Sequence, residues 1–274
     1  MLLRAVGFGK TPEMALKGRR PERGSRGYIM NVKEQPISEE EAYKHARNFT
    51  KSRAANFYYA FSALSSAKRN AIYAAYAFAG TIDDAVDDSV NDAERFELLS
   101  KAERMLELAY SEHGYETGEK EWLTRALHDA VNRFAIPKSY FRELMAGMKQ
   151  DITQARFATY ADLEQYCYRA ASVIGLISIE IFGYDEKHHD IAVKAASDMG
   201  KALQITNIMR DVKEDAERGR IYFAHEDLVR YGYSESDVMK NINNEPFRNL
   251  MEEYGRRAEA FYVSGLRLLP LLDG

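Results

Sequence analysis

An all-α fold is predicted by three features: apolar residues recur at helical spacing from Ser38 onward, the chain holds only six prolines, and no alternating Val/Ile/Thr run bounded by turn residues breaks the pattern. The first helix opens at "SEEEAYKHARNF", where Ser38 stands three residues ahead of Glu41. At that spacing each side chain takes up a backbone N–H that the first helical turn leaves unpaired. Further helices are expected over residues 56–64, 67–88, 92–110, 119–134, 137–157, 160–182, 188–214 and 246–269, with "HGYETGEK" and "NNEP" as loops. No repeat of about 20–50 residues is visible, which disfavours a solenoid, so residues 38–274 read as one helical domain.

Residues 1–37 differ in character. The first 30 hold seven Arg/Lys against two Glu, so a net charge of −4 for the whole leaves −9 on the remainder. The Gly- and Arg-rich "KGRRPERGSRGY" has no sustained apolar period and reads as a flexible basic tail, and Met30 would also begin a sensible domain. A signal peptide is not expected, because no adequate apolar core follows the positive charges. The longest uncharged runs, 71–82 and 170–179, fall short of the roughly 20 residues that cross a bilayer. The acidic body argues against nucleic acid as a partner, since phosphate backbones are held by basic faces. The basic head suits peripheral contact with an anionic membrane surface. The single cysteine, Cys167, rules out an internal disulfide framework and fits a reducing, cytoplasmic setting.

The stretch "TIDDAVDDSV" follows the uncharged "AIYAAYAFAG". On a helix Asp83 and Asp87 share one face, while Asp84 and Asp88 share the next. Two unit charges roughly 6 Å apart repel by about 2–3 kcal/mol at an effective dielectric near 20, so a cation between them is favoured, and a divalent metal would serve. A second stripe lies in "LQITNIMRDVKEDAERGRIYF": Gln204, Asn207, Asp211 and Asp215 are spaced by three, four and four, which draws one polar line down a helix. Ile205, Ile208, Met209 and Val212 lie between its members, so this line borders apolar surface, where unpaired carboxylates are costly. Its ligand atoms are all oxygen, the type Mg²⁺ prefers, whereas zinc would want His or Cys, and the six histidines show no ligand spacing.

Arg210, Arg218 and Arg220 flank the second stripe and offer fixed positive charge to phosphate oxygens. Together with the aspartates they suit a metal-diphosphate complex whose ions draw charge off a leaving diphosphate. The allylic cation left behind needs dry aromatic walls, for which Phe57, Tyr58, Tyr59, Tyr76, Phe78, Tyr166 and Tyr168 are available. Taken singly, each feature has a plain structural explanation: a solvated helix end for the first acidic run, and core packing for the tyrosines. The two stripes in one chain are harder to explain that way.

The pairing of "DDAVD" with "LQITNIMRDVKEDAERGRIYF" resembles the squalene/phytoene synthase family, and "NFYYAFSAL", "AIYAAYAF" and "YCYRAASVIG" extend the resemblance from about Ala46 to the end of the sequence. The resemblance implies an isoprenoid-synthase helical bundle around a central cavity. It also implies Mg²⁺-dependent head-to-head joining of two prenyl diphosphates, farnesyl or geranylgeranyl, through a cyclopropylcarbinyl diphosphate. The product would be presqualene diphosphate and squalene, dehydrosqualene or phytoene, with NADPH needed only for squalene. Carried over by position, Asp83 and Asp87, with Asp84 between them, form a first metal site, and Asn207, Asp211 and Asp215 a second, with Gln204 beside it on the substrate. Tyr76, Tyr166 and Arg210 fall at catalytic positions, and Phe57 and Arg220 at substrate-contacting ones.

Three departures accompany the resemblance. Gly80 stands where relatives commonly carry an arginine, Ala54 replaces a usual polar residue, and the sequence stops at "RLLPLLDG", where the family usually continues into one more helix. Arg53, just before "AANFYYAF", is the nearest candidate to supply the charge missing at Gly80. Two alternatives remain open at this level. A terpene cyclase pairs similar motifs, but its second set normally includes Ser or Thr and Glu. A non-catalytic helical assembly protein of the same fold would have no need of two desolvated carboxylate stripes. Substrate chain length and oligomeric state are not legible.

Overall fold

The capping pattern at Ser38 does what its spacing predicts. The Ser38 N–H and hydroxyl donate to the Glu41 carboxylate at 3.1 and 3.2 Å, and the Glu41 N–H donates back to Ser38 Oγ at 3.2 Å, starting α1 (Glu39–Arg53). One residue earlier, Ile37 packs on the core and its N–H donates to Glu121 Oε1 at 2.9 Å. The computed structural model describes residues 36–53, 55–87, 89, 91–118 and 120–272, with backbone alone for 55–57 and 85–87. The basic tail expected over 1–37 therefore lies, apart from its last two residues, outside the described residues.

After α1 come α2 (Ala55–Phe61), α3 (Ser66–Asp87), α4 (Asp92–Ala109), α5 (Glu121–Arg133) and α6 (Lys138–Thr153). Residues 71–80 of α3 are buried at every position, the signature of a helix enclosed by others. It packs against α1, α4, α5 and α6, and against α8 (Val173–Phe182), so the first acidic run sits at the end of a rod fixed on several sides. The chain continues through α7 (Tyr160–Cys167), α9 (His189–Arg210), α10 (Val212–Glu217), α11 (His225–Tyr231), α12 (Glu235–Met239) and α13 (Glu245–Gly265). Among the described residues there is no β-strand, only one isolated antiparallel bridge between Tyr184 and Leu272. The all-α expectation holds.

Four expected helices run differently, and each difference has a local cause. The segment 160–182 is split by a π-helical turn at Tyr168–Ser172. That turn lies against α9 where Gly200 has no side chain, and a Cβ there would come within 2.4 Å of the Ser172 Cα. The segment 188–214 is interrupted at Asp211, whose φ of −100° and ψ of 13° depart from helical values. Its backbone bonds nevertheless carry on, Asp211 N–H to Asn207 O at 2.8 Å and Asp215 N–H to Asp211 O at 2.9 Å, so the second stripe bends where a straight helix was expected. The segment 137–157 ends as a helix at Thr153, because the residues beyond pair elsewhere: Ile221 donates to Ala155 O at 3.2 Å and His225 to Phe157 O at 2.8 Å. The segment 246–269 finishes as a 3₁₀ turn at Leu266–Leu271. The short α11 and α12 escaped the periodicity argument, being too brief to show a period. Asp227 of α11 is clamped by Arg257 of α13 through contacts of 2.6 and 3.0 Å.

Candidate active site

The predicted site residues gather in two groups. In the first, Asp83 is buried near the end of α3, and half-buried Asp84 beside it forms an ion pair with Arg53 from the end of α1. The Arg53 guanidinium also lies 5.4 Å from the centre of the Phe49 ring, which holds it against α1. Tyr76, two turns back along α3, is buried, and burial pushes its hydroxyl well above the usual tyrosine range, with Arg53 and Asp83 acting on it in opposite senses. The side chains of Phe57 and Asp87, and all of Ala54 and Asp88, lie outside the described residues. Three of the expected aromatic walls take other places. Tyr59 is 67% exposed, on the opposite side of α2 from the buried Tyr58 and the core-packed Phe61. Tyr58 stacks on Tyr73 with ring centres 5.7 Å apart, and Phe78 packs edge-on against Phe141.

The second group runs from α9 across the bend into α10. Gln204, Asn207 and Asp215 are buried, because the flanking Ile205 and Ile208 are themselves in the core. Asn207 donates its amide to Leu203 O at 2.5 Å, which turns its Oδ1 away from the backbone. Gln204 Oε1 is buried without a hydrogen-bond partner. Burial lifts the Asp215 carboxyl to about 7, neighbouring Asp211 pushes the same way, and Arg220 and Arg218 pull against both. Arg210 forks Asp211, Nε to Oδ1 at 2.7 Å and Nη2 to Oδ2 at 2.6 Å, and Arg218 reaches Glu214 at 2.8 Å. Arg210, Asp211, Lys213, Glu214, Glu217 and Arg218 line an open surface depression of about 550 Å³ around the bend.

One partner was missed by sequence reasoning. Asp151, buried at the end of α6, accepts from the Tyr222 hydroxyl at 3.2 Å, and its backbone oxygen faces Arg220 Nη2 at 3.4 Å. The only hint in the sequence is an acidic residue within an otherwise apolar helix face. Tyr166, Tyr222 and Phe157 stack around it, with ring centres 5.2–5.9 Å apart. The Tyr166 expected beside the chemistry is thus part of an aromatic layer joined to the second group through Arg220.

The residues present fit a divalent cation. Among the described residues no three His, Cys, Asp or Glu side chains form a ready-made cluster, so the donors are a mixed set of carboxylates and amides. A buried amide oxygen without a partner, and a carboxyl held high first by burial and then by a second carboxylate, are both relieved by a hard cation that takes oxygen ligands.

Helices enclosing α3, with buried carboxylates and arginines at the ends of two of them, make up an isoprenoid-synthase fold. The squalene/phytoene synthase family model matches residues 50–274, so the chain belongs to that family and is a prenyltransferase. It is 35% identical over 245 residues to the 15-cis-phytoene synthase of Synechocystis, covering 86% of this chain and 71% of that one. The phytoene synthase of Arthrospira platensis is 34% identical over 240 residues, covering 83% and 75%. Among solved structures, a dehydrosqualene synthase superposes with a TM-score of 0.75 at 31% identity, covering 86% of this chain and 79% of the other. Squalene synthase HpnC from Alicyclobacillus acidocaldarius gives 0.78 at 26% identity, covering 86% of each. The family is generally dependent on divalent metal. No helix among the described residues is long and apolar enough to cross a membrane.

Proposed function

We propose that this chain joins two geranylgeranyl diphosphates head to head to form phytoene, with Mg²⁺ as its metal. The observation that carries the chemistry is the buried, oxygen-only second stripe with an unpartnered Gln204 Oε1 and arginines at its rim. The phytoene synthases at 34–35% identity support the product. Asn207, Asp211 and Asp215 would hold metal on one side, and Asp83, Asp84 and Asp87 on the other. Bound there, Mg²⁺ would withdraw charge from the leaving diphosphate as a Lewis acid.

The chain's own residues do the rest. Arg220 and Arg218 add fixed positive charge beside Asp215, and Arg53 supplies charge beside Asp84 where Gly80 offers none. Arg210 holds the Asp211 carboxylate by both oxygens, which fixes that ligand's orientation. Gln204 offers its buried amide to the diphosphate-metal complex, and Tyr76 and the Tyr166 layer exclude water from the cation. Joining two geranylgeranyl diphosphates to phytoene releases two diphosphates and two protons, so this reading requires no hydride donor; NADPH belongs only to a squalene-forming reaction. Incubation with farnesyl or geranylgeranyl diphosphate and Mg²⁺, then extraction and mass analysis, should give a forty-carbon hydrocarbon from the C20 substrate. A thirty-carbon product formed faster from the C15 substrate would overturn the assignment.

A further inference from the structure

Asp151 is a carboxylate at the edge of the core that none of the expected roles uses. It is buried, and the residues around it come from two separate stretches: Tyr166 from α7, and Arg220 and Tyr222 from the segment after α10. The Tyr222 hydroxyl donates to Asp151 Oδ1 at 3.2 Å. The Tyr222 ring lies nearly parallel to that of Tyr166, with centres 5.3 Å apart and planes 28° from one another, and Phe157 closes the layer at 5.2 Å from Tyr166. Asp151 and Tyr222 are also the polar groups that act on the buried Tyr166 hydroxyl. A stacked ring can slide in its plane at little cost in apolar contact. A hydrogen bond at its far end removes that freedom, and a buried acceptor left unpaired carries a penalty of its own.

We propose that Asp151 is a positioning residue: by accepting the Tyr222 hydroxyl it fixes the Tyr222 ring, and through the stack it fixes Tyr166 as a wall of the reaction cavity. The kinetic consequence rests on the proposed function, whereas the structural one does not. Arg220 approaches Asp151 at the backbone oxygen, and its charge and the Tyr166 hydroxyl also act on the carboxylate; the hydrogen bond from Tyr222 is the contact by which that carboxylate holds the Tyr222 ring. A ring that shields a cation matters when the cation forms, so misplacing it lowers kcat and leaves KM nearly unchanged.

The test uses full-length protein labelled with 3-fluorotyrosine. The Tyr166 and Tyr222 ¹⁹F resonances are identified by their loss in Tyr166→Phe and Tyr222→Phe. In Asp151→Leu, and equally in Tyr222→Phe, the Tyr166 resonance should shift or broaden, whereas Asp151→Asn, which keeps an acceptor, should leave it near its original position. With prenyl diphosphate, Asp151→Leu and Tyr222→Phe should each lower kcat about tenfold with KM within about twofold, the double variant should lose no more than either alone, and Asp151→Asn should recover most of the rate. Should Asp151→Leu fail to fold, Tyr222→Phe carries the same test from the donor side. An unmoved Tyr166 resonance in Tyr222→Phe overturns the proposal, as does an Asp151→Asn variant as impaired as Tyr222→Phe. The resonance measurement needs no substrate, so a wild-type enzyme that makes no forty-carbon product counts against the proposed function alone.

Discussion

Replacing Asp215 with asparagine should stabilise the metal-free protein while destroying its activity. The Asp215 carboxyl is raised from 3.8 to about 7 in the folded chain, first by burial and then by Asp211. At pH 8 the group is ionised in both folded and unfolded states, and the folded state carries the whole cost of that difference, on the order of 4 kcal/mol. Between about pH 4 and pH 7 the folded state holds a proton that the unfolded state has released, so stability falls as pH rises through this window. Below it both states are protonated and the cost vanishes. Asparagine keeps the shape without the charge, so Asp215→Asn should melt higher than wild type at pH 8 in the presence of a chelator, with the gap closing towards pH 4. Even half of the full cost moves the midpoint by about 4–8 °C in a chain of this size. Excess Mg²⁺ should raise the wild-type midpoint and leave that of the variant nearly unchanged, because a ligand stabilises only the state that binds it. Thermal melts at several pH values, with chelator and with Mg²⁺, measure all of this. A variant less stable than wild type at pH 8, or a gap independent of pH, would refute the argument from burial.

Asp83→Asn should reduce turnover by at least a hundredfold with an unchanged far-ultraviolet spectrum, since one charged ligand at a site of developing charge is worth about 3 kcal/mol; near-normal rates would remove Asp83 from the metal site. Arg53→Ala should raise the KM for prenyl diphosphate about tenfold, with Gly80→Arg restoring part of it, and a steady-state comparison showing no coupling between the two positions would count against a shared phosphate contact. Gly200→Ala places a methyl group 2.4 Å from the Ser172 Cα, so it should cost about 1–3 kcal/mol or more in denaturant unfolding, and a neutral result would show that the π-helical turn can give way. Asp227→Ala leaves the Arg257 guanidinium with Glu253 as its remaining carboxylate, and a loss of about 3 kcal/mol is expected in the same assay.

What the sequence determined by itself is what helical periodicity and local chemistry control. Spacings of three and four place Asp83, Asp84, Gln204, Asn207 and Asp215 on helices, and the apolar neighbours of the second stripe announce the burial of Gln204, Asn207 and Asp215. The all-α architecture follows in the same way, because a period of 3.6 residues is a property of each segment alone. The tertiary structure decided what depends on residues far apart in the chain. It bends the second stripe at Asp211, and it brings Arg53 to Asp84 across the packing of α1 on α3. It splits the segment 160–182 where α9 presses Gly200 against the π-helical turn. It also sets Asp151 against Tyr222, 71 residues away, because residues 155–158 find their backbone partners in 221–226 and end α6 early. No periodicity encodes that meeting: a hydrogen bond between distant segments exists only once the backbones that carry them have paired, and that pairing is settled by the packing of the whole bundle.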